Sequence, residues 1–391
     1  VAEAGFDIVA EDDRLSELVE QAITHGEYAI DTEFHRERTY FPQVALVQVA
    51  VGDRVALVDP LVTNLALFAP LFSSDACAVL HAGRQDLEIF ELTTGVVPHN
   101  VIDTQIAGGF LGYSAPSLAT LLEKELGVKA PKADRLTDWL RRPLSDRQLL
   151  YAAADVSSLV ALANRLREQL EELGRLGWLT EAVAETLTES RGARPPEDAW
   201  RRIKEARHLR GADLATAQGI AEWREKRAQR LDLTPRYVLA DLAVVGLAVA
   251  RPTTLAGFDG IRGVDGRALR NVAPELIAVI AESSQQPPRR DVSAAVNELP
   301  SVMRPALPLV SAWVSQLSRE MRIEPSLLAT RSDLEAFLRG DESARLRTGW
   351  RAELVGTPLQ RLIDGDASLA FERGGGLVLE DRARRSASEP N

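Results

Sequence analysis

A single cysteine, Cys77, occurs in 391 residues. One thiol excludes an intramolecular disulfide and any cysteine-rich zinc site. It lies in DACAVLHA, beside a strand-like apolar run, where a thiol is buried and inert. Long apolar runs are also missing. None approaches the ~20 residues needed to span a bilayer, so no membrane association is expected. The N-terminal VAEAGFDIVAEDD is acidic and has no basic stretch leading into an apolar core. No signal peptide is read there, and a cytoplasmic protein is expected. No G-x-x-x-x-G-K-S/T loop occurs, which argues against a helicase motor. The histidines His25, His35, His81, His99 and His208 show no H-E-x-x-H or similar spacing, which argues against a zinc hydrolase.

What is present is ordinary globular material: 45% hydrophobic and 26% charged residues, enough for two or three domains. The net charge of −11 works against phosphate binding by the surface as a whole. The balance is uneven, however. Between Arg201 and Arg236 stand ten Lys/Arg against five Asp/Glu. Such a stretch is a footprint for nucleic acid, or simply a solvated helix face. Two segments rich in Pro, Ser and charge, ESRGARPPED (189–198) and SSQQPPRRD (283–291), read as linkers. They leave about 190, 85 and 90 residues and a polar tail (381–391), taken as flexible.

The first part alternates strand and helix patterns. YAIDTEF (28–34), QVALVQVAV (43–51), RVALVD (54–59), CAVLH (77–81) and NVID (100–103) read as strands. Gly52-Asp53 makes a hairpin turn between the second and third. A long helix is expected from Ser145, its N-cap, to about Leu173. The pattern gives an α/β domain, a mixed sheet flanked by helices. The remainder reads as all helix, closed by SLAFERGGGLVLED as a small hairpin.

Asp31 and Glu33 are two apart on a strand, so both face one side. Their apolar neighbours suggest a central strand, where paired carboxylates repel and lose hydration. Hard divalent cations, which take oxygen ligands, are the efficient compensation. Tyr151 and Asp155, in YAAADV, are i and i+4 on one helix face, and the alanines between them allow close approach to a sheet. Asp86, in HAGRQD, falls in the first turn of a helix, and Asp103, in VIDTQ, reads as a helix cap. Each motif alone reads first as a salt-bridged or capping acid. Together, four acids carry −4, which two divalent ions balance. That is the donor set of a two-metal phosphodiester hydrolase. Tyr151, with an ordinary pKa of about 10, is assigned to orienting the attacking water.

The stretches IDTEFHRERTYFPQVALVQVA, VLHAGRQDLEIF, VIDTQIAGGFLG and TDWLRRPLSDRQLLYAAADV come in an order that resembles the ribonuclease D catalytic domain. That is a DEDD-type 3′→5′ exonuclease of the tyrosine subclass. The resemblance implies a ribonuclease H-like sheet over residues 1–190. It assigns Asp31, Glu33, Asp86 and Asp155 as ligands of two Mg²⁺ or Mn²⁺ ions, and Tyr151 as the catalytic tyrosine. Residues 197–282 resemble the helical HRDC domain, through WRRIKEARHLRGADLATAQGIAEWREKRAQRLDLTPRYVLAD. Residues 294–380 resemble a second, more diverged module of that kind. Phosphate contacts are expected from Lys204, Arg207, Arg224, Lys226, Arg227 and Arg230. Phe34 is a candidate for stacking on a terminal base, with core packing as the alternative. By this resemblance a monomer would digest single-stranded RNA from free 3′ ends, including tRNA precursors or other stable RNA, to nucleoside 5′-monophosphates. A DNA 3′→5′ exonuclease and a non-catalytic nucleic-acid scaffold are the rival readings.

Overall fold

The computed structural model describes residues 5–131, 137–189, 191–192, 195–265, 269–289 and 299–382. Six strands form one sheet in the order β1-β4-β3-β2-β5-β6. They are β1 (Phe6–Val9), β2 (Glu27–His35), β3 (Gln43–Val51), β4 (Arg54–Val58), β5 (Cys77–Leu80) and β6 (Val101–Asp103). β2, β3 and β4 are antiparallel, and Gly52, whose φ of 56° suits the turn, joins the last two. β1, β5 and β6 add in parallel, which makes the sheet mixed as expected. β1 and α1 (Asp12–His25) are elements that the sequence pattern does not announce. β1 is four residues long, too short to show an alternation.

Alternation along β2 sets the two layers. Tyr28 and Ile30 enter the core formed with α1, α2 (Ala69–Phe72) and α3 (Arg84–Thr94). Ala29 enters the opposite core. That second core is covered by α4 (Thr104–Phe110), α5 (Leu118–Leu121), α6 (Asp146–Ser157) and α7 (Leu159–Glu172). The single long helix expected from Ser145 is therefore two, broken at Ser158, whose φ of −116° and ψ of 7° leave the helical region. Asp146–Glu172 is long and apolar enough to cross a membrane by length and composition. Its apolarity is accounted for by packing, because Ala152, Ala153, Val156, Leu162 and Leu166 are buried against the sheet side.

After α8 (Leu176–Thr188) the chain enters a helical unit with a core of its own. Trp200, Ile203 and Ala206 pack there against α9 (Gly211–Leu231), α11 (Asp241–Ala250) and α12 (Ala273–Ser284); α10 (Pro235–Val238) is one short turn. The C-terminal unit behaves differently. Its Val310, Trp313, Phe337, Trp350 and Leu359 belong to the same continuous core as Phe110, Leu179 and Val183 of the first unit. Trp350 stacks on Trp178 at 5.0 Å and meets Phe110 edge-on at 5.3 Å. The expected break at 283–291 thus separates the core of the middle unit from that of the C-terminal unit, but the C-terminal unit shares its core with the first. The expected hairpin forms as β7 (Ala367–Phe371) and β8 (Leu377–Asp381). The tail beyond Arg382 lies outside the described residues, as does the end of the linker at 283–291 beyond Arg289.

Candidate active site

β2 is flanked by β3 and β5, so Asp31 and Glu33 sit mid-sheet, opposite Gln48 and Leu46 of β3. They share a face with Ala29, toward α6. On the other edge β2 outruns its neighbour: only Glu27–Ala29 pair with Cys77–Val79. Beside the unpaired stretch stands the first turn of α3, which carries Asp86. Thr32 donates its hydroxyl to Asp86 Oδ1 at 2.5 Å, and the Thr32 backbone N–H also favours that carboxylate.

The β5-to-α3 turn that delivers Asp86 is tightly specified. Ala82 has a φ of 57°, a conformation that costs a residue with a side chain. A Cβ on Gly83 would lie 2.7 Å from Leu80 Cδ1, so only glycine fits. Asp103 holds this turn by accepting from the N–H groups of Ala82 at 3.1 Å and Gly83 at 2.9 Å. It also caps α4 through Gln105 N at 2.8 Å, the role expected of it. His81 bonds Thr104 Oγ1 at 2.9 Å and is structural.

Helix α6 starts at a capping box between Ser145 and Gln148. Ala152 and Ala153 are fully buried and bring the helix close to the sheet. This places Tyr151 and Asp155 over Asp31 and Glu33. Tyr151 donates a hydrogen bond to Asp155, and its ring lies 6.2 Å from Trp139. Trp139 is buried, as packing predicts.

Burial raises all four carboxylates, and Asp86 and Asp155 raise Asp31 and Glu33 further. Burial, then Asp86, Asp155 and Glu33 in turn, raises Asp31 well above the carboxylate range. Burial and then Asp155 and Asp86 push Glu33 up to about 8. Burial raises Asp86 to about 6, against the Thr32 hydrogen bond, and raises Asp155 to about 7, against the Tyr151 hydrogen bond. No arginine or lysine of the described residues is a leading influence on any of them. Tyr151 is raised by burial and then by Asp155, Glu33 and Asp31, which keeps its proton on.

Clustered anionic oxygens fit hard divalent ions. Among the described residues no three acids, histidines or cysteines already surround a common point. To share an ion the acids would have to turn, and Asp86 would have to release Thr32. The site opens into a cleft of about 910 Å³. Glu33, Phe34 and Tyr151 line its floor, residues 35–39 one wall and residues 137–140 the other. Phe34 is half-buried, packing on the core while it borders the cleft.

Of the basic residues expected to meet phosphate, Lys204, Arg207, Lys226 and Arg230 are exposed or nearly so. Arg227 is partly covered, over the Trp223 ring at 5.7 Å and near Glu275. Arg224 is a correction. It is 3% exposed and bonds the Leu239 carbonyl and Asp241, so it braces the helical unit and cannot reach a phosphate.

Comparison with known proteins agrees with this geometry. Residues 6–171 match the family model described as 3′-5′ exonuclease, and residues 213–280 match the HRDC domain. Ribonuclease D of Cronobacter turicensis is 35% identical over 91% of this chain and 99% of its own. The chain belongs to the ribonuclease D family. Ribonuclease D of Escherichia coli is 33% identical over 92% of this chain and 98% of its own. A crystal structure of Escherichia coli ribonuclease D, described as an exoribonuclease involved in structured RNA processing, superposes with a TM-score of 0.82 at 30% identity. It covers 92% of this chain and 99% of that one. As a member of that family, the protein is a 3′→5′ exoribonuclease acting on RNA 3′ ends.

Proposed function

We propose that Asp31, Glu33, Asp86 and Asp155 hold two divalent cations, Mg²⁺ or Mn²⁺, and that with Tyr151 they cleave the terminal phosphodiester of single-stranded RNA. When bound, the ions supply charge neutralisation, a more acidic attacking water and a stabilised departing 3′-oxygen. The chain's own groups do the rest. Glu33 and Tyr151 bring the site to the floor of the cleft, where a 3′-terminal nucleotide enters between the walls at 35–39 and 137–140. Tyr151 keeps its proton, so it orients the attacking water by donating a hydrogen bond and does not act as the base. Phe34 offers its half-buried ring to the terminal base. The products are nucleoside 5′-monophosphates.

Lys204, Arg207, Lys226 and Arg230, with partly covered Arg227, form the surface proposed to track the upstream strand. Structured RNA, which the Escherichia coli relative processes, suits this arrangement, and tRNA precursors or other stable RNA are the substrates proposed for this chain. Every proposed site residue comes from one chain, so a monomer suffices. The observation that carries the assignment is the convergence of four buried carboxylates, among which Asp86 and Asp155 raise the proton affinity of Asp31 and Glu33. Digestion of 5′-labelled RNA and DNA in parallel, with Mg²⁺, Mn²⁺ or EDTA, tests it. Stepwise shortening of RNA with either ion and none with EDTA is expected. Undiminished cleavage in EDTA would refute the metal assignment.

A further inference from the structure

One wall of the catalytic cleft is held from outside its own domain. The connection between β2 and β3 runs from Arg36 to Pro42, with no regular structure, and residues 35–39 face the cleft. Its start is tied within the exonuclease unit by a bidentate bond from Arg36 to Glu88, both at 2.8 Å. Its tip is tied to the helical unit about 190 residues further along the chain. One oxygen of Asp232 accepts from both Tyr40 N and Phe41 N at 3.0 Å. Thr234 N donates to the Arg38 carbonyl at 3.1 Å. The Tyr40 hydroxyl donates to Glu225 Oε1 at 2.6 Å and accepts from Gln229 at 3.0 Å.

These bonds are not incidental to the helical unit. Asp232 ends α9 in the left-handed region, with a φ of 49°, which turns its carboxylate toward the loop. Glu225 is almost fully buried, and a buried carboxylate is costly unless it is paired and hydrogen-bonded. Arg202 supplies the charge at 2.5 Å and Tyr40 a hydrogen bond. Its other oxygen has no partner among the described residues, so losing Tyr40 would leave the carboxylate poorly satisfied. The loop follows directly from β2, two residues beyond the bulge at Glu33/Phe34. It is therefore continuous with the strand bearing Asp31 and Glu33.

We propose that the end of α9 is a positioning element for catalysis: Asp232 and Tyr40 fix the cleft wall formed by residues 35–39. The helical unit then contributes to the chemical step as well as to RNA binding. This rests on the metal-site assignment proposed for the four acids and extends it. A binding-only role and a positioning role differ on a substrate too short to leave the cleft. Binding to the helical unit changes KM for long RNA, whereas the cleft wall affects kcat for any RNA.

The test uses the full-length enzyme, a trinucleotide and a long single-stranded RNA, each with saturating Mg²⁺ or Mn²⁺. Asp232→Gly removes the acceptor and relieves the left-handed backbone. Asp232→Asn keeps an acceptor oxygen in a residue that tolerates that conformation. Tyr40→Phe removes only the hydroxyl and serves as a second variant where Asp232→Gly folds poorly. The expected result is a fall in kcat of roughly 10-fold on both substrates for Asp232→Gly, since small misplacements near reacting groups cost up to ~100-fold. Asp232→Asn is expected to stay near the parent, and Tyr40→Phe to fall in the same direction as Asp232→Gly. Parental kcat on the trinucleotide for both Asp232→Gly and Tyr40→Phe would overturn the proposal, whether or not KM for the long RNA rises. Asp155→Asn, assayed alongside, reports separately on the site: if it stays active, the metal-site assignment fails, whatever the Asp232 variants do.

Discussion

Glu185 and Arg351 form an ion pair at 2.6 Å across 166 residues of sequence. Arg345 takes the other oxygen of Glu185, also at 2.6 Å. Arg351 is 2% exposed, and burial, followed by neighbouring Arg345, pushes it down to about 10. The pair fastens the C-terminal unit to α8 of the exonuclease unit, beside the Phe110–Trp178–Trp350 cluster. That arrangement makes the C-terminal unit a part of the catalytic domain's core rather than an appendage.

Glu185→Ala is therefore expected to destabilise the whole exonuclease unit. It leaves a buried guanidinium with its carboxylate partner removed, at a cost of about 3 kcal/mol. Urea unfolding measures this as a lower midpoint at unchanged slope. Ending the chain before Leu299 is expected to be worse, because it uncovers Phe110, Trp178 and Leu179 together. A truncated protein that melts at the parental temperature would show that the shared core is dispensable.

Substitutions at the site should separate chemistry from folding. Asp155→Asn is expected to abolish RNA digestion while leaving the melting temperature at or above that of the parent, since a charge that burial disfavours is removed. Tyr151→Phe should lower kcat by about 100-fold with little change in KM, as for loss of a hydrogen bond that positions the attacking water. Single-turnover digestion reads both. An Asp155→Asn enzyme with parental activity would remove that residue from the site.

Much of this site is legible in the sequence because its geometry is local. The two-residue spacing of Asp31 and Glu33 fixes a shared face, the four-residue spacing of Tyr151 and Asp155 does the same on a helix, and Asp86 and Asp103 follow from their places at helix starts. The sheet is legible for the same reason, apart from β1, whose four residues are too few to alternate. Periodicity does not encode the rest. Arg224 looks like any basic residue of a solvated face, yet it lies on the inner side of α9, bonded to a carbonyl 15 residues away. The tie between Tyr40 and Asp232 and the merging of the C-terminal core with the first unit join distant segments and leave no spacing to detect. The break at Ser158 interrupts an otherwise continuous apolar pattern without Pro or Gly to mark it.

The metal-free protein should lose stability as pH rises. Asp31, Glu33, Asp86 and Asp155 all bind protons more tightly folded than unfolded. Between the ordinary carboxylate range and about 8, the native state holds more protons than the unfolded chain, so the unfolding free energy falls with pH. Thermal melts in EDTA at about pH 5.5 and about pH 8, chosen to lie roughly at either end of that window, should show the higher midpoint at the acid end. Added Mg²⁺ or Mn²⁺ should raise the midpoint more at the alkaline end than at the acid end, since ions bind the deprotonated acids. A pH-independent metal effect would contradict the carboxylate ligand set.

Exposure divides the basic residues of α9 into two groups with different predicted effects. Lys226 and Arg230 reach solvent; Arg224 does not. Lys226→Ala with Arg230→Ala should weaken RNA binding and flatten its salt dependence, by about 0.7 in the log–log slope for each phosphate of a single strand that is no longer neutralised. Stability should hardly change, because the Lys226–Glu222 pair is largely exposed and worth under about 1 kcal/mol. Arg224→Ala should do the reverse. It leaves the Leu239 carbonyl without its guanidinium donor and opens a gap in the core, so the melting temperature falls while the salt slope of the folded protein stays. Fluorescence anisotropy with labelled single-stranded RNA over a salt series measures the slopes, and calorimetry of the same samples the stabilities. If Arg224→Ala alone flattened the slope with stability intact, its guanidinium would have to reach RNA, and the buried position assigned to it would be wrong.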